Sequence, residues 1–395
     1  MTLRHKREGT YRADSVRRRL LLLPVLLFLF LNWLTTHTGF GANGAEQPEH
    51  GTFRQATSGY TYQFPRDHGS HDQFRTEWWY YTGHLRVADG RQFGYELTFF
   101  RRGVENDSAQ MNPSRWAIHH LYLAHFALSD HGDQTFHYAE KVSRAGLGKA
   151  GADTGRLHVW IDQWKADSPN PESIRHHLEA STEAFSLHVD LDPQKPPIVH
   201  GRNGISRKGK TAGQASHYYS MTRLVTTGAI TMNGERLPVT GISWMDHEFG
   251  SGSLGDDQVG WDWFSLQLDN GTEIMLYLLR RRVNTVDPVS SGTLVLSDGR
   301  TEHLTLSDVQ VETLSHWDSP ASGARYPSRW RLSIPRVHLS LEVVPRQPNQ
   351  ELVTTKSTQV TYWEGAVSAS GHMDHHSVSG QGYVELTGYA EPFQD

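Results

Sequence analysis

The chain has 395 residues, 37% hydrophobic and 11% aromatic, enough for two ordinary domains or one large β domain with a core rich in Trp, Tyr and Phe. It contains no cysteine, which excludes a disulfide scaffold, a thiol nucleophile and anchoring through a lipidated N-terminal Cys. The formal net charge is −5, and beyond residue 45 there are 31 basic against 41 acidic side chains, so a nucleic-acid partner is disfavoured for want of a basic surface.

The first 45 residues stand apart. Seven basic residues between Arg4 and Arg19 face only Glu8 and Asp14; an apolar run, Leu20–Leu34, and the small residues of "GFGANGA" follow. Basic, then apolar, then small is the order of a secretory signal. The run holds 15 residues with Pro24 and Asn32 inside, where a membrane span needs about 20. A cleaved signal is the first expectation and an uncleaved anchor, associating with the membrane through residues 20–34, the second. Either predicts an exported protein, periplasmic or extracellular.

From about residue 50 the chain reads as all-β. Alternating apolar and polar runs meet at the turns Asp89-Gly90, Asn233-Gly234, Asn270-Gly271 and Asp298-Gly299. "NPESIRHHLEA" (170–180) is the best candidate for a helix. "WRLSIPRVHLSLEVVP" (330–345) alternates with Pro335 inside, which predicts an edge or bent strand. "WYYTGHLRVADGRQFGYELTFFRR" (79–102) and "GWDWFSLQLDNGTEIMLYLLRR" (260–281) share a plan: aligning Gly90 with Gly271 superposes Leu85 on Leu266 and Leu97 on Leu278, a shift of 181 residues. An internal duplication explains this. The expectation is two tandem antiparallel β-barrels after the N-terminal segment, with 1–45 as signal or anchor, 50–252 as the first domain and 253–395 as the second. A barrel of about eight strands can hold one small apolar ligand.

Three stretches can carry chemistry. In "FPRDHGSHDQFRTEWWYYTGHL" (64–85), Glu77 beside two Trp would be costly to bury unpaired. In "GISWMDHEFGSG" (241–252), alternation puts Trp244 and Asp246 on one strand face, Met245 and His247 on the other. In "SHYYS" (216–220), His217 and Tyr219 share a face, so neighbouring strands would bring His217, Tyr219, Trp244 and Asp246 onto one cavity wall. A carboxyl in such a wall has its pKa raised and can act as a general acid, and aromatic faces stabilise a cation. The competing reading makes Asp246 a strand-corner acceptor and His247–Glu248 a surface pair. Glu77, Trp78, Trp79, Tyr81, His247, Glu248, Trp261 and Trp263 are the candidate ligand-binding side chains. The 24 histidines show no HExxH spacing and have no Cys to join them, so no metal is expected. A Ser-His-Asp hydrolase is disfavoured because the G-x-S-x-G elbow is missing.

These stretches, with "GWDWFSLQLDNGTEIMLYLLR" and "YWEGAVSASG…GQGYVELTGY" (362–389), resemble the AttH/CrtC family, lipocalin-like proteins that include carotenoid 1,2-hydratase. The resemblance implies two lipocalin-like barrels and, with no cofactor, hydration of a terminal double bond of an acyclic carotenoid. It makes Asp246 the proton donor, Trp244 a cation-stabilising wall, and His217 and Tyr219 the groups that position water or tune the acid. The aromatic before the acid is Trp244 where the family has Tyr, and the upstream aromatic is Tyr219 where it has Trp. Two readings follow: a hydro-lyase acting on an apolar isoprenoid, or a non-catalytic carrier of a lipid or pigment.

Overall fold

The computed structural model describes residues 53–104, 118–211, 213–252 and 254–393. The segment read as signal or anchor lies outside them, and no helix among the described residues is long and apolar enough to cross a membrane. Apart from three 3-10 turns the described chain is strand and loop. It forms two large curled antiparallel sheets, of thirteen and ten strands, one a nearly closed barrel and the other a half-barrel.

Both sheets follow one path. Thr76–Arg86 pairs on one side with Gln92–Gly103 and on the other with Glu235–Gly250, the last strand of its sheet, which pairs in turn with Ala215–Met232. In the second sheet Gln258–Leu268 pairs with Glu273–Arg281 and with the last strand, His376–Thr387, which pairs with Thr361–Met373. The two hairpins related by the 181-residue shift therefore open their sheets in equivalent places. The two-residue turn Asn233-Gly234 has φ of 51° and 79°, the left-handed pair that matches strand twist in a hairpin.

Two local expectations are corrected. Residues 170–180 form no helix: His176–Ser181 is a strand paired with Phe185–Pro193, and its alternating burial, with His176, Leu178 and Ala180 inside, is the period of a half-buried strand. The 330–345 run is two strands, Arg325–Ile334 and Leu339–Pro345, paired with each other across a 3-10 turn that starts at Pro335. Proline lacks the N–H that a continuous ladder would need.

Apolar side chains gather in three main cores, one within each sheet and a third between them. The third is aromatic: Tyr80, Tyr218, Trp244, Trp263, Tyr277 and Tyr383. Strands shared by two cores have no solvent face, and residues 243–250 are all buried. That is why "SWMDHEFG" does not alternate between apolar and polar residues.

Candidate functional site: two polar clusters on opposite faces of one strand pair

Ala215–Met232 and Glu235–Gly250 are neighbours, as the expected cavity wall requires, but they do not present the expected residues to one side. Counting from the turn, Met232 pairs with Glu235 and Leu224 with Ser243; the register then shifts between Met221 and Leu224. Beyond this irregularity Ser220 pairs with Asp246, Tyr219 with His247 and His217 with Phe249. Without the shift Tyr219 would fall opposite Glu248, on the face of Asp246; one extra residue moves the whole set across the sheet. Trp244 and Asp246 thus face the second sheet. His217 and Tyr219, expected beside them, face the first sheet's side together with His247.

The inter-sheet cluster is built round Asp246. Its Oδ1 accepts from Trp244 Nε1 at 2.6 Å and from the Ser220 hydroxyl, and its Oδ2 from Tyr218 Oη at 2.6 Å. Trp263 Nε1, from the second sheet, donates to Tyr218 Oη at 3.0 Å. Burial pushes the Asp246 carboxyl up to about 7, against the pull of the Ser220, Tyr218 and Trp244 hydrogen bonds. The Ser220 hydroxyl also meets His200 Nε2 at 2.6 Å, and His200 Nδ1 meets Thr293 Oγ1 at 2.8 Å, so a hydrogen-bonded wire leads from the acid into the second sheet. Glu248, on the same face, is held by Lys208 at 2.9 Å and by Ser216. It is buried, so the surface-pair reading with His247 fails. Trp78 and Trp261 border this layer, and Trp261 Nε1 donates to the half-buried Glu385 at 3.0 Å.

The opposite face carries Glu77, Trp79, Tyr81, Tyr219 and His247. Glu77 is fully buried and fully paired: Arg101 Nε lies 3.0 Å from Oε2, while His71 Nδ1 and His247 Nε2 each lie 2.8 Å from Oε1. Burial opposes its charge, yet His71, His247 and Arg101 together hold its carboxyl well below the usual range. Tyr219 Oη meets His247 Nδ1 at 2.9 Å and His68 Nδ1 at 2.7 Å, extending the network to the loop that precedes the first strand. His217 stands at its edge, its ring 4.5 Å from that of Tyr60. The ligand atoms of His71, Glu77 and His247 lie within 4.8 Å of one another. Each also faces its neighbour as a hydrogen-bond partner, and Arg101 offsets the charge of the carboxylate.

Of the predicted residues, the fold brings Trp78, Trp244, Asp246, Glu248, Trp261 and Trp263 to the inter-sheet layer. Glu77, Trp79, Tyr81, His217, Tyr219 and His247 go to the other face. Sequence reasoning missed Tyr218, Ser220, His200 and Tyr80. Tyr218 and Ser220 lie within "SHYYS", and only the register reveals which of its residues meet the acid. His200, in "PPIVHG", carries no sequence signal. A cleft of about 500 Å³ lies between the sheets, lined by Ile242 and Gly241 of the strand that bears Asp246. At about 3.3 Å per residue, Ile242 is roughly 13 Å from Asp246 along that strand.

The comparisons with known proteins agree with this architecture. The AttH-like family matches residues 55–389. The crystal structure of an AttH from Nitrosomonas europaea superposes with a TM-score of 0.76 at 34% identity, covering 85% of this chain and 100% of its own. Kievitone hydratase from Nectria haematococca shares the fold at a TM-score of 0.64 and 16% identity, covering 86% of this chain and 98% of its own. CghA does so at 0.53 and 13%, covering 81% of this chain and 90% of its own. No curated protein matches the chain. A lipocalin-like architecture and a match over nearly all of the described chain make this protein a member of the AttH-like family.

Proposed function

We propose that the protein is a cofactor-independent hydro-lyase that adds water to an isolated double bond of an apolar, isoprenoid-type ligand held between the two sheets. The observation that carries this reading is Asp246, a buried carboxyl with its pKa raised to about 7 among the side chains of Trp244, Tyr218, Trp263 and Tyr80. Such a group keeps its proton near neutrality and can give it up only to a bound molecule or through its hydrogen bonds. The alkene π pair takes the Asp246 proton, the cation left on the more substituted carbon is stabilised by the neighbouring aromatic faces, and water adds to it and loses a proton. Ser220 and His200 offer the route by which Asp246 regains its own. The likeness in fold to a protein named as a hydratase supports the reaction class. An acyclic carotenoid end is the substrate that the sequence resemblance favours, and export through residues 1–45 is part of the same proposal.

The test is incubation with acyclic carotenoids in detergent and heavy-oxygen water. The expected result is a hydroxylated product carrying the heavy oxygen, with Asp246→Asn slower by at least about 100-fold. An unchanged rate in that variant would refute the mechanism. One observation favours the alternative, a non-catalytic carrier: both Asp246 oxygens already have protein donors. A carrier would retain its ligand through native mass spectrometry, release no product, and lose little affinity on Asp246→Asn.

A further inference from the structure

The network around Glu77 takes no part in the hydro-lyase reading, yet its protons are ordered in one direction. Glu77 is ionised, so His247 Nε2, 2.8 Å from its Oε1, must donate. His247 is held neutral chiefly by burial, and its Nδ1 is therefore a lone pair that needs a donor. Tyr219 Oη, at 2.9 Å, is the donor it faces. A hydroxyl has one proton, so Tyr219 Oη can only accept from His68 Nδ1, at 2.7 Å. Were that proton turned to Asp67 O at 3.1 Å instead, His68 Nδ1 would still have to donate. Burial, together with the His176 and His247 rings, also holds His68 neutral. Its Nε2 is left as a lone pair on the ring edge away from Tyr219. That atom has no hydrogen-bond partner among the described residues, although His68 is only 1% exposed. The His176 ring, 4.9 Å away between centres, does not supply one.

His68 lines a niche of about 210 Å³ between the first sheet's core and solvent. Phe64 and Met221, which pack in that core with Tyr219, form the inner wall. Ile174, Pro196 and Pro197 form the outer one, where Ile174 and Pro196 are exposed and leave a way in. Lys195 is the one charged side chain among the described residues that line the niche. Its three ammonium protons are engaged by Glu273 Oε2 at 2.7 Å, Gly271 O at 2.7 Å and Leu296 O at 2.9 Å. The niche therefore offers no free charge, an apolar wall and one buried, unpartnered side-chain acceptor. It selects a neutral ligand with a hydrogen-bond donor. A phenol suits it best: its O–H is a stronger donor than that of an alcohol, and its flat ring packs on Phe64 and on proline faces.

We propose that this niche binds a small phenol, its hydroxyl donating to His68 Nε2 and its ring packed against Phe64, Met221 and the two prolines. This goes beyond the hydro-lyase reading and does not depend on it, because Asp246 and its hydrogen-bond partners lie on the other face of the strand pair. Glu77, His247 and Tyr219 act as positioning residues: they fix the tautomer in which His68 presents a lone pair rather than an N–H.

The test is calorimetric titration of the full chain with para-cresol and with para-xylene, which has a methyl group where the cresol has its hydroxyl. Para-cresol is expected to bind at least about tenfold more tightly, although it is the less apolar of the two, because it alone satisfies His68. His68→Phe should remove that preference while keeping the affinity for para-xylene. Asp246→Asn should change neither titration, which separates this site from the proposed chemistry. Should His68→Phe fail to fold, nitrogen NMR of the wild type reads the same point. His68 Nε2 should resonate as an unprotonated nitrogen and shift when para-cresol is added, a signature that a merely structural role would not move. No binding of para-cresol, equal affinities for the two, a proton on Nε2, a His68→Phe variant that keeps the preference, or an Asp246→Asn variant that loses it would each overturn the proposal. If the saturated alcohol of the same skeleton bound more tightly than para-cresol, the phenol assignment would fall.

Discussion

Replacing Asp246 by Asn removes a proton that the folded chain keeps and the unfolded chain releases. The carboxyl titrates at about 7 in the fold against 3.8 as the reference for an unfolded Asp. Between those values the folded state binds more protons, so the group's contribution to stability is fully present below about pH 4 and is lost as pH rises towards 7. Three pKa units correspond to about 4 kcal/mol, of which about 2–3 kcal/mol falls between pH 5 and pH 8. Asn does not titrate. The stability of wild type minus that of Asp246→Asn should therefore fall by about 2–3 kcal/mol across that interval. Taking the difference cancels the slopes of Glu96 and Glu385, whose carboxyls burial also raises, and leaves from Glu364 only the part of its slope that comes from repulsion by Asp246. Urea unfolding followed by Trp fluorescence at each pH measures it. A difference constant to within about 0.5 kcal/mol would mean that Asp246 is ionised in the fold and that no proton donor exists there.

Three further expectations follow from the site geometry. Tyr218→Phe removes a donor to Asp246 and the acceptor of Trp263 Nε1, and should cost about 1–3 kcal/mol in urea unfolding and lower any Asp246-dependent turnover. Tyr219→Phe, on the opposite face, should leave that turnover within about threefold, a shift of under 1 kcal/mol; the reverse order of effects would restore the wall expected from sequence. Glu77→Gln leaves Arg101, whose side chain is buried, without its counter-charge, and should destabilise the fold by about 3–5 kcal/mol in the same assay.

The all-β architecture was legible because hairpin turns and alternation are local signals. The duplicated hairpins at Gly90 and Gly271 gave the repeat because equivalent strands keep equivalent apolar positions. Asp246 and Trp244 were legible as a pair because a strand's two faces follow from counting along one segment. What failed needed counting across two segments: the extra residue between Met221 and Leu224 leaves no trace in composition, yet it decides whether Tyr218 or Tyr219 meets the acid. His200 reaches Ser220 and Thr293 from just beyond a two-residue strand, Ile198–Val199, too short to show a period. Residues 170–180 misled because the doublet His176-His177 masks an alternation that continues through Leu178 and Ala180.

The register shift also bears on kinship. Deleting one residue between Met221 and Leu224 would exchange the addresses of "HYYS" at a stroke: His217 and Tyr219 would turn towards the second sheet, and Tyr218 and Ser220 away from it. Relatives that gain or lose a residue here would carry the same letters into the opposite compartment, and their chemistry could migrate without any substitution. Among such proteins a shared His-x-aromatic motif is evidence of a shared site only when the residue count from that motif, through the hairpin, to the acid is also conserved.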